Sequence, residues 1–214
     1  MRLKGRYFFS PKDEFKDLDL NNFATIIEGF ERRIRGWYFE PLQKLLEDES
    51  SLFVASAVEC MLADTLSGFF YGLEKETNRE DFIAFLEYAL DFSNAISRAF
   101  YERFRCGILH QTYIKEKSCI STELEIDALY LDDNDSLFFN PRIFFKLLSK
   151  FFTSYLNELQ NDINTQIKFR KHFKFLFNKE YSLGEWTPWD NQTAALTKSL
   201  SIKNKTSKTE RAQS

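Results

Sequence analysis

Apolar residues recur along most of this chain at the three-to-four-residue spacing of amphipathic helices. Phe23, Ile26, Ile27, Phe30, Ile34, Trp37 and Tyr38 share one stripe, with Arg32, Arg33 and Arg35 opposite. Asp19 is the predicted N-cap, and Pro41 kinks or restarts this helix before Leu45 and Leu46. The stretch from Leu52 to Tyr71 is apolar nearly all round, which places it centrally, and Gly72 is a natural stop. Asn78 predicts the cap of a third helix, with Phe82, Phe85, Leu86 and Leu90 on its inner face. A fourth helix starts near Ser93 and approaches Gly107 and His110.

The period then changes. Leu124, Ile126, Ala128 and Tyr130 alternate with acids and Leu129, which predicts a half-exposed strand with those four residues inward. Asp132 to Ser136 is a turn, and Leu137 to Phe139 a return strand, giving a hairpin within about residues 119–139. Asn140-Pro141 pairs a capping residue with a proline suited to the first helical position. A long Phe-rich helix follows through Phe144, Leu148, Phe152 and Leu159, and another spans about 162–178. Residues 1–18 are expected to be irregular, 19–190 to form one domain, and 191–214 to be a disordered basic tail. Trp186 and Trp189, in an aromatic loop with Gly184 and Pro188, either tuck that loop onto the body or stack bases. The predicted architecture is all-α: an up-and-down bundle of four to five helices with a small hairpin inserted before the Phe-rich helix.

Composition narrows the chemistry. With 214 residues, 24 Phe, 7 Gly and 4 Pro, the chain suits one packed domain and excludes linker-like or collagenous classes. Three unpaired-looking cysteines (Cys60, Cys106, Cys119) argue for a reducing compartment, and the charged start is no signal peptide, so the expectation is cytoplasmic. Glu59 and Asp64 interrupt the most apolar segment, which favours a core helix over a membrane span. The net charge is −3, and a tail of +4 from Lys198 onward leaves −7 on the rest. No phosphate loop, dinucleotide fingerprint or zinc spacing is present, so no cofactor and no metal are expected.

What remains is Tyr101-Glu102-Arg103-Phe104-Arg105-Cys106-Gly107-Ile108-Leu109-His110-Gln111. Histidine moves protons near neutral pH, and arginine forks hydrogen bonds onto a phosphate as charge builds. An RNA 2′-hydroxyl attacking its own phosphodiester needs only those services, and leaves a 2′,3′-cyclic phosphate. On an ideal α-helix Arg105 and His110 lie roughly 140° apart, whereas Arg103 and His110 share a face. Either Arg103 takes part, or Gly107 loosens the helix, or a second subunit completes the cleft. The bland alternative is an arginine lying along a helix end and a histidine capping its last carbonyls. Asp64 or Glu59 could orient the pair, or sit in a structural ion pair. Cys106 as a nucleophile finds no oxyanion site. His172, beside Arg170, Lys171 and Lys174, reads as part of a basic helix face.

Arg105-Cys106-Gly107-Ile108-Leu109-His110-Gln111 resembles the signature of the HEPN superfamily (higher eukaryotes and prokaryotes nucleotide-binding), in its bacterial branch with Arg-Cys-Gly. Arg35-Gly36-Trp37-Tyr38-Phe39-Glu40-Pro41, the helix around Cys60 to Asp64, and Leu137-Phe138-Phe139-Asn140-Pro141 are similar to the same family. The resemblance covers about residues 25–175. It implies a helical bundle that dimerises around a composite site, with Arg105 and His110 as catalytic residues and Arg103, Cys106, Gln111 and Asp64 as possible support. It also implies a metal-independent endoribonuclease acting on RNA, a toxin or antiviral effector with an antitoxin or defence-system partner. Cys106 stands where many members carry a polar residue. The alternative is therefore an inactive module that binds nucleotide, RNA or a partner protein.

Overall fold

A computed structural model describes residues 2–3, 5–123 and 127–181. The aromatic loop with Trp186 and Trp189, the basic tail, and Leu124 and Ile126 lie outside the described residues. The protein is mostly helical with a small β part. Helices α1 (Phe23–Ile34) and α2 (Glu40–Glu47) are one continuous rod, joined by a π-helical stretch at Arg35–Phe39. They are followed by α3 (Leu52–Tyr71), α4 (Arg79–Leu90), α5 (Asn94–Phe100), α6 (Pro141–Asn161) and α7 (Ile163–Tyr181), giving six helices among the described residues.

The central position of α3 follows from its sequence. It is apolar on every side and packs against α2, α4, α6 and α7. By length and composition the stretch Glu49–Tyr71 could cross a membrane, yet most of it is buried inside the fold. Phe30, Phe69, Phe152 and Phe169 interlock there, Phe30 and Phe69 with ring centres 4.5 Å apart. The Tyr155 hydroxyl donates to the Phe69 carbonyl at 3.1 Å, satisfying the one polar atom of a buried ring. Helix boundaries follow side-chain capping. Asn78 accepts from the Asp81 backbone and Asp81 answers in a capping box, while Ser93 and Asn140 cap α5 and α6. Gly72 closes α3 in the left-handed conformation at φ 69°.

Several expectations are corrected. The cap of α1 is Asn22, whose side chain accepts from the Ala24 N–H; Asp19 instead accepts from Asn21 in the preceding turn. The N-terminal segment is anchored to the body. A short ladder, β1 (Arg2–Leu3) with β2 (Arg6–Tyr7), leads into a turn that buries Phe9, Phe15 and Leu18. Phe9 packs on Phe173 and Phe177 of α7, so this segment belongs to the core. The inserted β element is three-stranded rather than a simple hairpin. β4 (Leu129–Leu131) and β5 (Leu137–Phe139) pair antiparallel, and β3 (Ser118–Ile120) adds parallel to the other edge of β5. The predicted strand phase holds at Ala128, which is buried, but fails beyond it: Leu129 is buried and Tyr130 is 48% exposed. Register explains it. Leu129 faces Phe139 and Leu131 faces Leu137, both inward on β5, so Tyr130 must point out with Phe138.

Candidate active site

The segment after α5 does not wind as an α-helix. Tyr101–Arg105 and Gly107–Gln111 are two successive π-helical stretches. The N–H of Cys106 donates to the Tyr101 carbonyl and that of Thr112 to the Gly107 carbonyl, each five residues back. This wider winding brings residues five apart into register along the axis, where an α-helix would splay them by roughly 140°. Arg105 Nη1 consequently lies 3.0 Å from His110 Nε2 within one chain. The loosened helix, one of the three solutions open from the sequence, brings the pair together within one chain.

Gly107 makes that winding possible. A Cβ there would stand 2.5 Å from the Tyr113 carbonyl oxygen, because the chain reverses at Thr112 (φ 58°) and folds back over it. The Tyr113 and Lys115 N–H groups donate to the Gly107 and Arg103 carbonyls, tying the reversal down.

Arginine only donates, so His110 Nε2 accepts in this contact and is the unprotonated ring nitrogen. The other end of the guanidinium is held from α3: Arg105 Nη2 lies 3.4 Å from Asp64 Oδ2. The guanidinium also sits over the Tyr101 ring, 5.3 Å from its centre. Burial raises the carboxyl pKa of Asp64, outweighing the opposite pull of Arg105. Burial likewise raises the phenol of Tyr101, beside the Cys106 thiol. Arg105 is largely covered and His110 is exposed, so a charge clamp stands beside an open acid/base group.

The remaining predicted residues separate. Arg103 does not join His110. It reaches across to the turn between β4 and β5, bonding the Asp135 carboxylate at 2.7 Å and the Asp135 carbonyl at 2.6 Å. Its role in place is to staple the small sheet to the site helix. Cys106 is half-buried between the two π-helical stretches, and Gln111 is exposed at the end of the second. Glu59 is fully buried, and neither of its carboxylate oxygens has a hydrogen-bond partner among the described residues. Its pKa is raised well above the usual carboxyl range by burial alone. It therefore does not orient Arg105, and only Asp64 does. His172 is 4% exposed, which contradicts its assignment to a basic surface. Its Nδ1 faces the Leu73 carbonyl at 2.7 Å, and its ring packs edge-on to Phe69. Arg170 is buried too, 4.4 Å over the Phe23 ring.

A cleft of about 270 Å³ opens beside Arg105, lined by Asp64 and Thr65 of α3, Glu76 and Thr77 of the following loop, and His172, Phe175 and Leu176 of α7. Sequence reasoning missed the loop and α7 residues, since nothing local links Thr77 or Phe175 to the motif. Tyr101 was within reach of it, four residues before Arg105. Among the described residues no group of three or more His, Cys, Asp or Glu side chains is placed to hold a metal ion. Comparison with known proteins finds no matching family model, no matching curated protein and no matching solved structure.

Proposed function

We propose that the protein is a metal-independent endoribonuclease of the HEPN type, built on an up-and-down helical bundle, with His110 as general acid/base and Arg105 as the phosphate clamp. The observation that carries this reading is the 3.0 Å contact between Arg105 and His110. Two residues that would diverge on an α-helix are brought together by π winding, and one of them presents an unprotonated nitrogen.

In the reaction His110 Nε2 takes the proton from an RNA 2′-hydroxyl as its oxygen bonds to phosphorus. The bond from phosphorus to the 5′-oxygen breaks, and that oxygen receives a proton from the imidazolium form of His110 in a second copy. Arg105 turns from His110 to the phosphate, neutralising charge on the non-bridging oxygens. The products are a 2′,3′-cyclic phosphate and a 5′-hydroxyl. Support for a second copy comes from α3. Val54 (51% exposed) and Met61 (42%) form an uncovered apolar stripe with half-buried Ala57 and Val58, running toward Asp64 and Arg105. A homodimer packed on that stripe would set two Arg105–His110 pairs into one cleft. The resemblance adds a cytoplasmic toxin or antiviral effector restrained by an antitoxin or defence-system partner. Incubating RNA with the purified protein in EDTA and identifying the new ends tests this reading. Cyclic phosphate ends support it. A folded, dimeric protein that binds RNA without cutting it favours the inactive module, to which Cys106 in a usually polar position also points.

A further inference from the structure

We infer that the cleft beside Arg105 is a base-binding subsite that takes guanine next to the phosphate to be cut. Its hydrogen-bonding walls decide the class of ligand. The Thr65 hydroxyl donates to the Met61 carbonyl at 2.9 Å, and the Thr77 hydroxyl to the Asp64 carbonyl at 3.2 Å. With their protons committed, both oxygens offer only lone pairs to the cleft. Glu76 adds a carboxylate, and Asp64, beside Arg105, adds a second. His172 gives its ring N–H to the Leu73 carbonyl, so, Arg105 apart, the polar groups of these walls accept and the matching ligand donates.

Charge narrows the class. Two carboxylates against one guanidinium leave the cleft at −1, which repels a phosphate and admits a neutral, donor-rich group. Among RNA bases, guanine alone places an imino N–H and an amino group side by side on its Watson–Crick edge, the pattern a carboxylate receives with both oxygens. Phe175 supplies a flat apolar wall; its ring lies nearly parallel to His172 with centres 6.0 Å apart. At about 270 Å³ the space suits one base rather than a larger ligand. Arg105 divides two functions. Its Nη2 side faces the cleft through Asp64 and its Nη1 side faces His110, so a base in the cleft sets its phosphate at the clamp.

This assignment deepens the ribonuclease reading and rests on it for the position of the phosphate. Binding of guanosine, adenosine, cytidine and uridine 3′-monophosphates to the wild-type chain tests it without requiring cleavage. Guanosine monophosphate is expected to bind at least about ten-fold tighter than the others. Glu76→Ala, on an exposed loop, should erase that preference, and Thr77→Val should weaken it. Equal affinity for all four nucleotides overturns the assignment, as does a guanosine preference that survives both substitutions. If the preference appears but no RNA is cut, the subsite stands and the ribonuclease reading falls. If RNA is cut in EDTA with no guanosine bias at the cut, the subsite falls and the ribonuclease reading stands.

Discussion

The chain's two histidines occupy opposite environments. His110 is exposed and meets a guanidinium, whereas His172 is buried and meets a carbonyl. The Leu73 carbonyl can only accept, so His172 donates through Nδ1, and burial lowers the ring's pKa. That histidine fills space between α3 and α7 and has its hydrogen bond satisfied. His110 fills no space, and its Nε2 meets a charge clamp. Each depends on a glycine. Gly68 clears room for the His172 ring, and Gly107 for the chain reversal beside His110. The same residue type is therefore structural in one place and chemical in the other, and substitution separates the two.

After His110, the largest effect is expected at Arg105. Arg105→Ala should slow cleavage by about 10²–10³-fold, since one preorganised charge donor to the transition state is lost. A thermal melt close to wild type would show that the fold survives. Gly107→Ala should impair both properties. Its Cβ would meet a backbone oxygen that no side-chain rotation can move, so a loss of about 1–3 kcal/mol in urea unfolding should accompany lost cleavage. Gly68→Ala sharpens the contrast. Its Cβ would fall 2.3 Å from His172 Nε2, so stability should drop by about 1–3 kcal/mol while cleavage per folded molecule falls far less than in Arg105→Ala.

The smallest effects concern pH. The folded pKa of His172 lies below its unfolded value, so the unfolded chain binds more protons once pH drops below about 6.5. The His172 contribution is thus fully present above that pH and is lost as pH falls toward the folded pKa. His172→Gln should flatten the acid limb of a urea-midpoint profile. Glu59 acts in the opposite sense. Its raised folded pKa makes the folded chain hold the extra proton, so stability falls as pH rises above about 4.5. Glu59→Gln should make the protein more stable than wild type at pH 8, with no gain at pH 4.

Features set by neighbours in sequence were readable before the structure. The caps at Asn78, Ser93 and Asn140, the stop at Gly72 and the all-apolar character of α3 each depend on a few adjacent residues. Features set by tertiary packing were not. A 3.6-residue template cannot show that Arg105 and His110 meet, because the π winding is tied to the chain reversal at Thr112. The phase of β4 was set by its partner β5, not by its own alternation. His172 was misread because Arg170, Lys171 and Lys174 were counted as neighbours along the chain. At helical spacing it belongs with Phe169, Phe173 and Phe177, which face the core. The motif itself was visible, but the cleft beside it joins α3, a loop and α7 across a hundred residues.

The most direct test compares wild type and His110→Ala on RNA in EDTA, with both proteins shown to be folded and their product ends identified. The account predicts 2′,3′-cyclic phosphate ends from wild type and a loss of about 10²–10⁴-fold or more in the variant. Cleavage by His110→Ala at the wild-type rate would contradict it.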